Sequence, residues 1–165
     1  DRESLTFIAL HQPVASDLRS ARAVSRSALE LERVGDESKK IARFAAKVGA
    51  VAPHDPVAAV ARSLRHMAAL STLMLRNAVR ALDEADPALA RDVLDRDKEL
   101  DEEFASALRQ LMSFAMEDQQ FLRATVDTVF ALKGLERIGD HAKNVAEQVL
   151  YLVEGERPRK GQKSG

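Results

Sequence analysis

The segment from Leu135 to Ala146 repeats the segment from Leu31 to Ala42 at an offset of 104 residues, with seven of twelve positions identical. Leu, Glu, Arg, Gly, Asp, Lys and Ala recur in place, while Ile138 and Val145 exchange with Val34 and Ile41. A chain that repeats itself builds its fold from like parts, so this duplication limits the architecture more than any other feature. Each copy keeps an acidic pair four residues apart and a glycine inside an otherwise helical run. The unit was copied together with its chemistry.

The rest of the sequence makes the repeated part helical. Its 165 residues suffice for about one domain, or two small ones sharing a core. Apolar residues make up 45% of the chain, yet there are only one Tyr, six Phe and no Trp, and Gly and Pro are few. That is the composition of helices rather than sheets, and an all-α fold is expected. Cysteine is absent, which rules out disulfides and thiolate metal sites. No apolar run approaches the roughly 20 residues needed to cross a bilayer, and no signal peptide opens the chain. A cytoplasmic protein is expected.

The punctuation divides the chain into long helices. Leu5 to Leu10 reads as the end of a helix broken by His11-Gln12-Pro13. A long helix should then run from about Val14 to Val48, ended by a turn carrying Pro53 and Pro56. Val57 to Glu84 reads as the next helix, with Asp86 as the N-cap candidate and Pro87 at the first position of a third, which runs to about Met116. After the polar turn Glu117 to Gln120, a fourth helix runs to about Val153. Its apolar seam Leu135, Ile138, Ala142, Val145, Val149 and Leu152 alternates steps of three and four, as in an antiparallel bundle. The first copy gives Leu31, Val34, Ser38, Ile41, Ala45 and Val48.

Three units follow. Residues 1–52 form a partial first repeat, residues 53–155 a complete three-helix second repeat, and residues 156–165 a disordered basic tail with four bases and one acid. The chain opens on Asp1 rather than Met, so it reads as a fragment, a processed product or a trimmed one. An ancestral first half would have carried another helix and a half before Asp1. The partial bundle should therefore expose apolar surface, and a homodimer or higher oligomer is expected.

Acids outnumber bases 17 to 12 between Val57 and Gly155, so no basic nucleic-acid face is present. Glu136 and Asp140 stand one turn apart, with Asn144 continuing the row, and Glu32 and Asp36 repeat the pair with Lys40 in the next place. Asp97 and Asp101 form a further pair within Asp92 to Glu103, a stretch of seven acids and two bases. Two such pairs on adjacent helices could converge into a cage of oxygens for Mg²⁺, Mn²⁺ or Fe. The alternative is a solvated outer face, since Glu136 and Asp140 point away from the seam, with Arg33, Arg137 and Lys143 as local partners. Gly35 and Gly139 each cost a helix about 1 kcal/mol against Ala, which points to a close approach by backbone, ligand or neighbouring helix. No His follows a Glu by three residues, so the di-iron carboxylate signature is missing, and no phosphate loop or nucleophile signature stands out. No catalytic residue is assigned. A carboxylate-bridged metalloenzyme and a plain oligomeric scaffold remain as rival readings.

The run Leu135-Glu136-Arg137-Ile138-Gly139-Asp140-His141-Ala142-Lys143-Asn144-Val145-Ala146-Glu147, followed by Tyr151 to Gly155, resembles the signature of the PhoU family. Gln12 to Arg19 and Leu31 to Asp36 resemble its first-half signature. The resemblance implies tandem three-helix bundles and a regulator of phosphate uptake that restrains phosphate-starvation signalling. It implies partners of two kinds, a PstB-like transporter ATPase and a PhoR-like sensor histidine kinase, in a complex peripheral to the membrane. It also implies metal contacts from Asp97, Asp101, Glu136 and Asp140, with Asn144 beside them and Glu32 and Asp36 as the first-repeat match. The ion implied is divalent or ferric (Fe, Mn, Mg, Ni or Zn).

Overall fold

The computed structural model of the chain describes residues 15–48, 56–117 and 122–155. The helix end at Leu5 to Leu10, the first Pro-containing turn, the residues between Glu117 and Leu122, and the basic tail lie outside the described residues. Among those described, all regular structure is helical. Helix α1 spans Ala15–Val48, α2 is the single turn Pro56–Ala59, α3 spans Ala61–Glu84, α4 spans Pro87–Glu117, and α5 spans Leu122–Glu154.

These bounds follow the sequence expectations closely, with one difference. The helix expected from Val57 to Glu84 breaks at Val60, whose backbone turns to φ −103° and ψ 13°. Val60 is fully buried in the core cluster, and its placement there bends the chain out of helical geometry. The reversal from α3 to α4 is tight. Ala85 takes a left-handed conformation (φ 50°), and its N–H and that of Asp86 both return to the Ala81 carbonyl. Asp86 then caps α4 as expected, its Oδ1 accepting from the amides of Ala88 at 2.8 Å and Leu89 at 3.1 Å.

Helix α5 is the axis of the fold and packs on α1, α3 and α4. The core lies between α3, α4 and α5, where Met67, Met74, Leu100, Leu111 and Leu132 are fully buried. Each such side chain contributes roughly 1.5–3 kcal/mol by leaving water. Alanines at positions 78, 81, 90, 107, 142 and 146 let the helices close around them. Gly139 does what a glycine in mid-helix suggests. A Cβ there would drive into Leu100 Cδ2 of α4 and touch the Met74 methyl of α3.

Helix α1 crosses the other side of α5, and the repeat shows in the contacts. Glu30 of α1 meets His141 of α5, while Gly134 of α5 faces Glu37 of α1. Residue 134 is the repeat counterpart of 30, and 141 that of 37, so the two contacts exchange under a local two-fold rotation. The dyad passes near Val34 and Ile138, both buried.

The copies part company in what covers them. Val24 is 58% exposed, whereas its counterpart Thr128 is 0% exposed. Ala28, Leu31, Ser38 and Ala42 are exposed, but Leu132, Leu135, Ala142 and Ala146 are buried against α3 and α4. Among the described residues, Gly35 meets nothing within 4 Å. The seam of the first copy is thus open at Leu31 and Ser38, while Val34 and Ile41 are covered, because the described residues hold no second helical hairpin to close it.

Two outcomes are expected. Gly139→Ala should destabilise the chain by about 1–2 kcal/mol, since overpacking a filled core outweighs better helix propensity. Gly35→Ala should instead gain up to about 1 kcal/mol, and urea titration of both variants checks the contrast. The open α1 seam should also drive self-association of this chain, read by light scattering over a concentration series; a strict monomer at the highest concentration contradicts it.

Candidate functional site

A cleft of about 1020 Å³ opens where α1, α4 and α5 meet, with Asp36, Asp97, Asp140, Lys143, Asn144 and Glu147 among its lining residues. The Gly139 notch lets α4 pack against α5 along one edge, while α1 runs antiparallel to α5 along the other. The acidic row of α5 therefore faces α4 rather than open solvent. The reading of Glu136 and Asp140 as a solvated outer row is corrected: α5 is covered on more than one side, and the Glu136 side chain is nearly buried.

Asp97 is the deepest acid, 3% exposed, and accepts a hydrogen bond from Lys143 Nζ across the α4–α5 seam. Burial alone would lower the Lys143 ammonium, but the hydrogen bond and charge of Asp97, with Asp140 and Asp101 behind, raise it. Asp140 is pushed up by burial and then by the charges of Glu136 and Asp97, against the pull of Lys133 and Lys143. Asp101 is pushed up by desolvation and then by Asp97 and Asp140. Glu136 accepts from Lys133 through Oε1, while its Oε2 is buried without a partner. The four acids Asp97, Asp101, Glu136 and Asp140 thus form one electrostatic cluster, and two tethered ammonium groups supply its counter-charge.

The other expected site residues stand elsewhere. Asn144 turns to α1 and donates to Glu30 Oε2 at 3.0 Å. Glu32 is exposed on α1, and Asp36, also exposed, accepts from Lys39 at 3.1 Å while lining the cleft. Three other acids of the Asp92 to Glu103 stretch stand in pairs of their own. Asp92 is held low, first by its hydrogen bond from Arg96 and, after a smaller opposing burial effect, by the charge of Arg96 and a bond from Asn77. Asp95 pairs with Lys98 and Glu99 with His66.

A polar clamp ties α1 to α5, and sequence reasoning missed it. Glu30 is nearly buried; its Oε2 accepts from His141 Nδ1 at 2.7 Å as well as from Asn144, and its Oε1 accepts from Arg33. Burial pushes the carboxyl up, yet the bonds from Asn144 and His141 and the Arg33 charge win and hold it below its ordinary value. An ionised Glu30 only accepts, so His141 carries its proton on Nδ1. Opposite, Glu37 accepts from Lys40 at 2.8 Å and from Arg137 at 3.4 Å. The one available signal was the mismatch inside the repeat, where Glu30 stands opposite Gly134 and His141 opposite Glu37.

Among the described residues no three His, Asp or Glu side chains are arranged to share a metal ion. The donor set nevertheless suits a hard cation: crowded carboxylates, two of them pushed toward protonation, and one buried oxygen without a partner. An ion entering there must displace Lys143 from Asp97.

A duplicated all-helical bundle protein with a carboxylate-lined cleft is the class that fold and site define. The chain belongs to the PhoU family: the PhoU domain matches residues 1–45 and 64–149. A phosphate-specific transport system accessory protein PhoU homolog of Pseudomonas aeruginosa is 40% identical over 94% of this chain and 63% of its own length. One from Rhizobium meliloti is 36% identical over 95% of this chain and 65% of its own. This chain therefore spans less than two thirds of those relatives. The crystal structure of PhoU from Pseudomonas aeruginosa superposes with a TM-score of 0.86 at 38% identity, covering 94% of this chain and 73% of that one. A second crystal structure, the phosphate transport system regulatory protein PhoU from Streptococcus pneumoniae, shares the fold with a TM-score of 0.81 at 24% identity.

The clamp carries a pH prediction. Because the folded carboxyl of Glu30 lies below its unfolded value, its contribution is present above about pH 4.5 and is lost as pH falls through the folded value. Glu30→Ala should cost about 1–3 kcal/mol at pH 7 by stranding His141 and Asn144, and the gap to the parent should shrink below pH 4. Chemical unfolding at both pH values measures it.

Proposed function

We propose that this chain is a non-enzymatic accessory regulator of bacterial phosphate uptake and phosphate-starvation signalling, cytoplasmic and peripheral to a membrane complex. It acts as an adaptor between a PstB-like transporter ATPase and a PhoR-like sensor histidine kinase. The observation that carries this reading is the match over 94% of the chain to relatives named as accessory proteins of the phosphate-specific transport system. Among the described residues no helix is long and apolar enough to cross a membrane, which accords with a peripheral role. The charged groups of the cleft form pairs that join helices, which suits a structural switch or docking element.

Asp97, Asp101, Glu136 and Asp140 are the residues that would hold a cation, with Asn144 at the edge; Glu32 and Asp36 are the first-repeat counterparts, exposed on α1. Bound there, the ion would neutralise like charges and tie α4 to α5. Mn²⁺ or Fe at 100-fold its dissociation constant should then stabilise the chain by about 2.7 kcal/mol, and Asp140→Asn should abolish that gain. An unchanged melting temperature with Mn²⁺, Ni²⁺ and Fe removes the metal from the reading and favours a plain scaffold.

Pulldown of the transporter ATPase and the sensor kinase on the full chain tests the adaptor role; retention of neither ends it. Charge reversal at Glu136 and Asp140 should weaken at least one of the two interactions.

A further inference from the structure

Leu122, Val126 and Phe130 stand four residues apart on α5, and all three are exposed, Phe130 by 71%. Helix spacing places them in one stripe along the first half of α5, and Phe44 of α1 lies beside its end. Hollows of about 290 and 230 Å³ open on either side of the Phe44–Phe130 pair, in the groove between α1 and α5. The groove carries Lys40, Arg43 and Arg137 against the acids Glu37 and Asp127, while Lys133 beside them is held by Glu136. Glu37 is nearly buried and bonded to both Lys40 and Arg137. The rim therefore keeps a small net positive charge around an apolar floor.

The local dyad shows that a second hairpin seated on α1 would not cover this stripe. The counterparts of Leu122, Val126 and Phe130 are Leu18, Arg22 and Arg26. Those three are exposed although α3 and α4 are in place around α5. A hairpin packed on α1 as α3 and α4 pack on α5 would leave Phe130 as open as Arg26. Arg22 and Arg26 also show that the repeat itself does not require apolar residues at the last two positions, so they are a property of the second copy alone.

We infer that the α1–α5 groove around Phe44 and Phe130 is a docking site for an amphipathic helix of a partner protein, with an apolar face flanked by carboxylates. An elongated groove between two helices admits a third helix, whose apolar side chains fill the hollows beside the two phenyl rings. The basic rim selects acidic flanks, and it disfavours a second copy, which would bring the same positive surface against itself. The inference rests on the adaptor reading only in supposing a protein partner.

The test uses the full chain and a synthetic helix with a Leu face flanked by Glu, beside the same helix flanked by Lys, followed by fluorescence anisotropy. The Glu helix should bind and the Lys helix should bind at least about 10-fold more weakly. Phe130→Ala, an exposed position, should weaken the Glu helix by about 10-fold, and Arg43→Glu on the opposite wall by about 3-fold. Equal binding of the two helices, or indifference to Phe130→Ala, overturns the proposal. So does capture by phosphatidylglycerol vesicles without peptide binding, which would make the groove a membrane contact. Self-association abolished by Phe130→Ala would assign it to a second copy instead. None of these readouts involves the transporter or the kinase, so failure here leaves the adaptor reading to be judged by the pulldown.

Discussion

The contact between Leu100 and the notch left by Gly139 sets the distance between α4 and α5, and the rest of the site follows from that distance. At this separation Asp97 of α4 is shut away from water beside the acidic row of α5, so its charge requires an intramolecular counter-ion. Lys143 reaches across the seam to supply it, and Lys133, one turn away on the same helix, neutralises Glu136. Packing thus dictates electrostatics here. A bulkier residue at position 139 would have to push the Leu100 side chain aside, loosening the packing that keeps these acids close.

Much of this arrangement could be read from the residues. Long helices, their punctuation at Pro87 and Asp86, and the seam through Ile138, Ala142 and Val145 all follow from spacing and capping chemistry. So did the close approach at Gly139, and the openness of the first seam at Leu31 and Ser38. The burial of Glu136 was not legible, because a seam drawn for one neighbour cannot show that α5 has three. Nor was the break at Val60, where a buried side chain overrides a run that is helical by every local measure. Glu30 and His141 escaped notice for a different reason: their partnership joins positions 111 residues apart, and no periodicity reports on that.

The two glycines of the repeat illustrate how a copied feature can be used once and left idle once. Gly139 is enforced by Leu100, while Gly35 has open space before it in the described residues. The acidic pairs behave alike: Glu136 and Asp140 are drawn into the helix interface, and Glu32 and Asp36 remain on the surface. In each case the sequence element is the same, and the neighbouring helix decides what it becomes.

The unequal halves of the α1–α5 crossing have a consequence for fidelity of assembly. A duplicated chain always risks exchanging one half for the matching half of a second molecule. Were α1 of another molecule to take the place of α5, Glu30 would confront Glu37, two carboxylates where the correct pairing sets a carboxylate on an imidazole. Were α5 to cross its own twin, Gly134 would lie against His141 and leave that ring without its acceptor. Divergence at two positions has thus made each helix recognise its sister and reject itself, so that a gene doubling yields a single topology rather than a tangle of interchangeable parts.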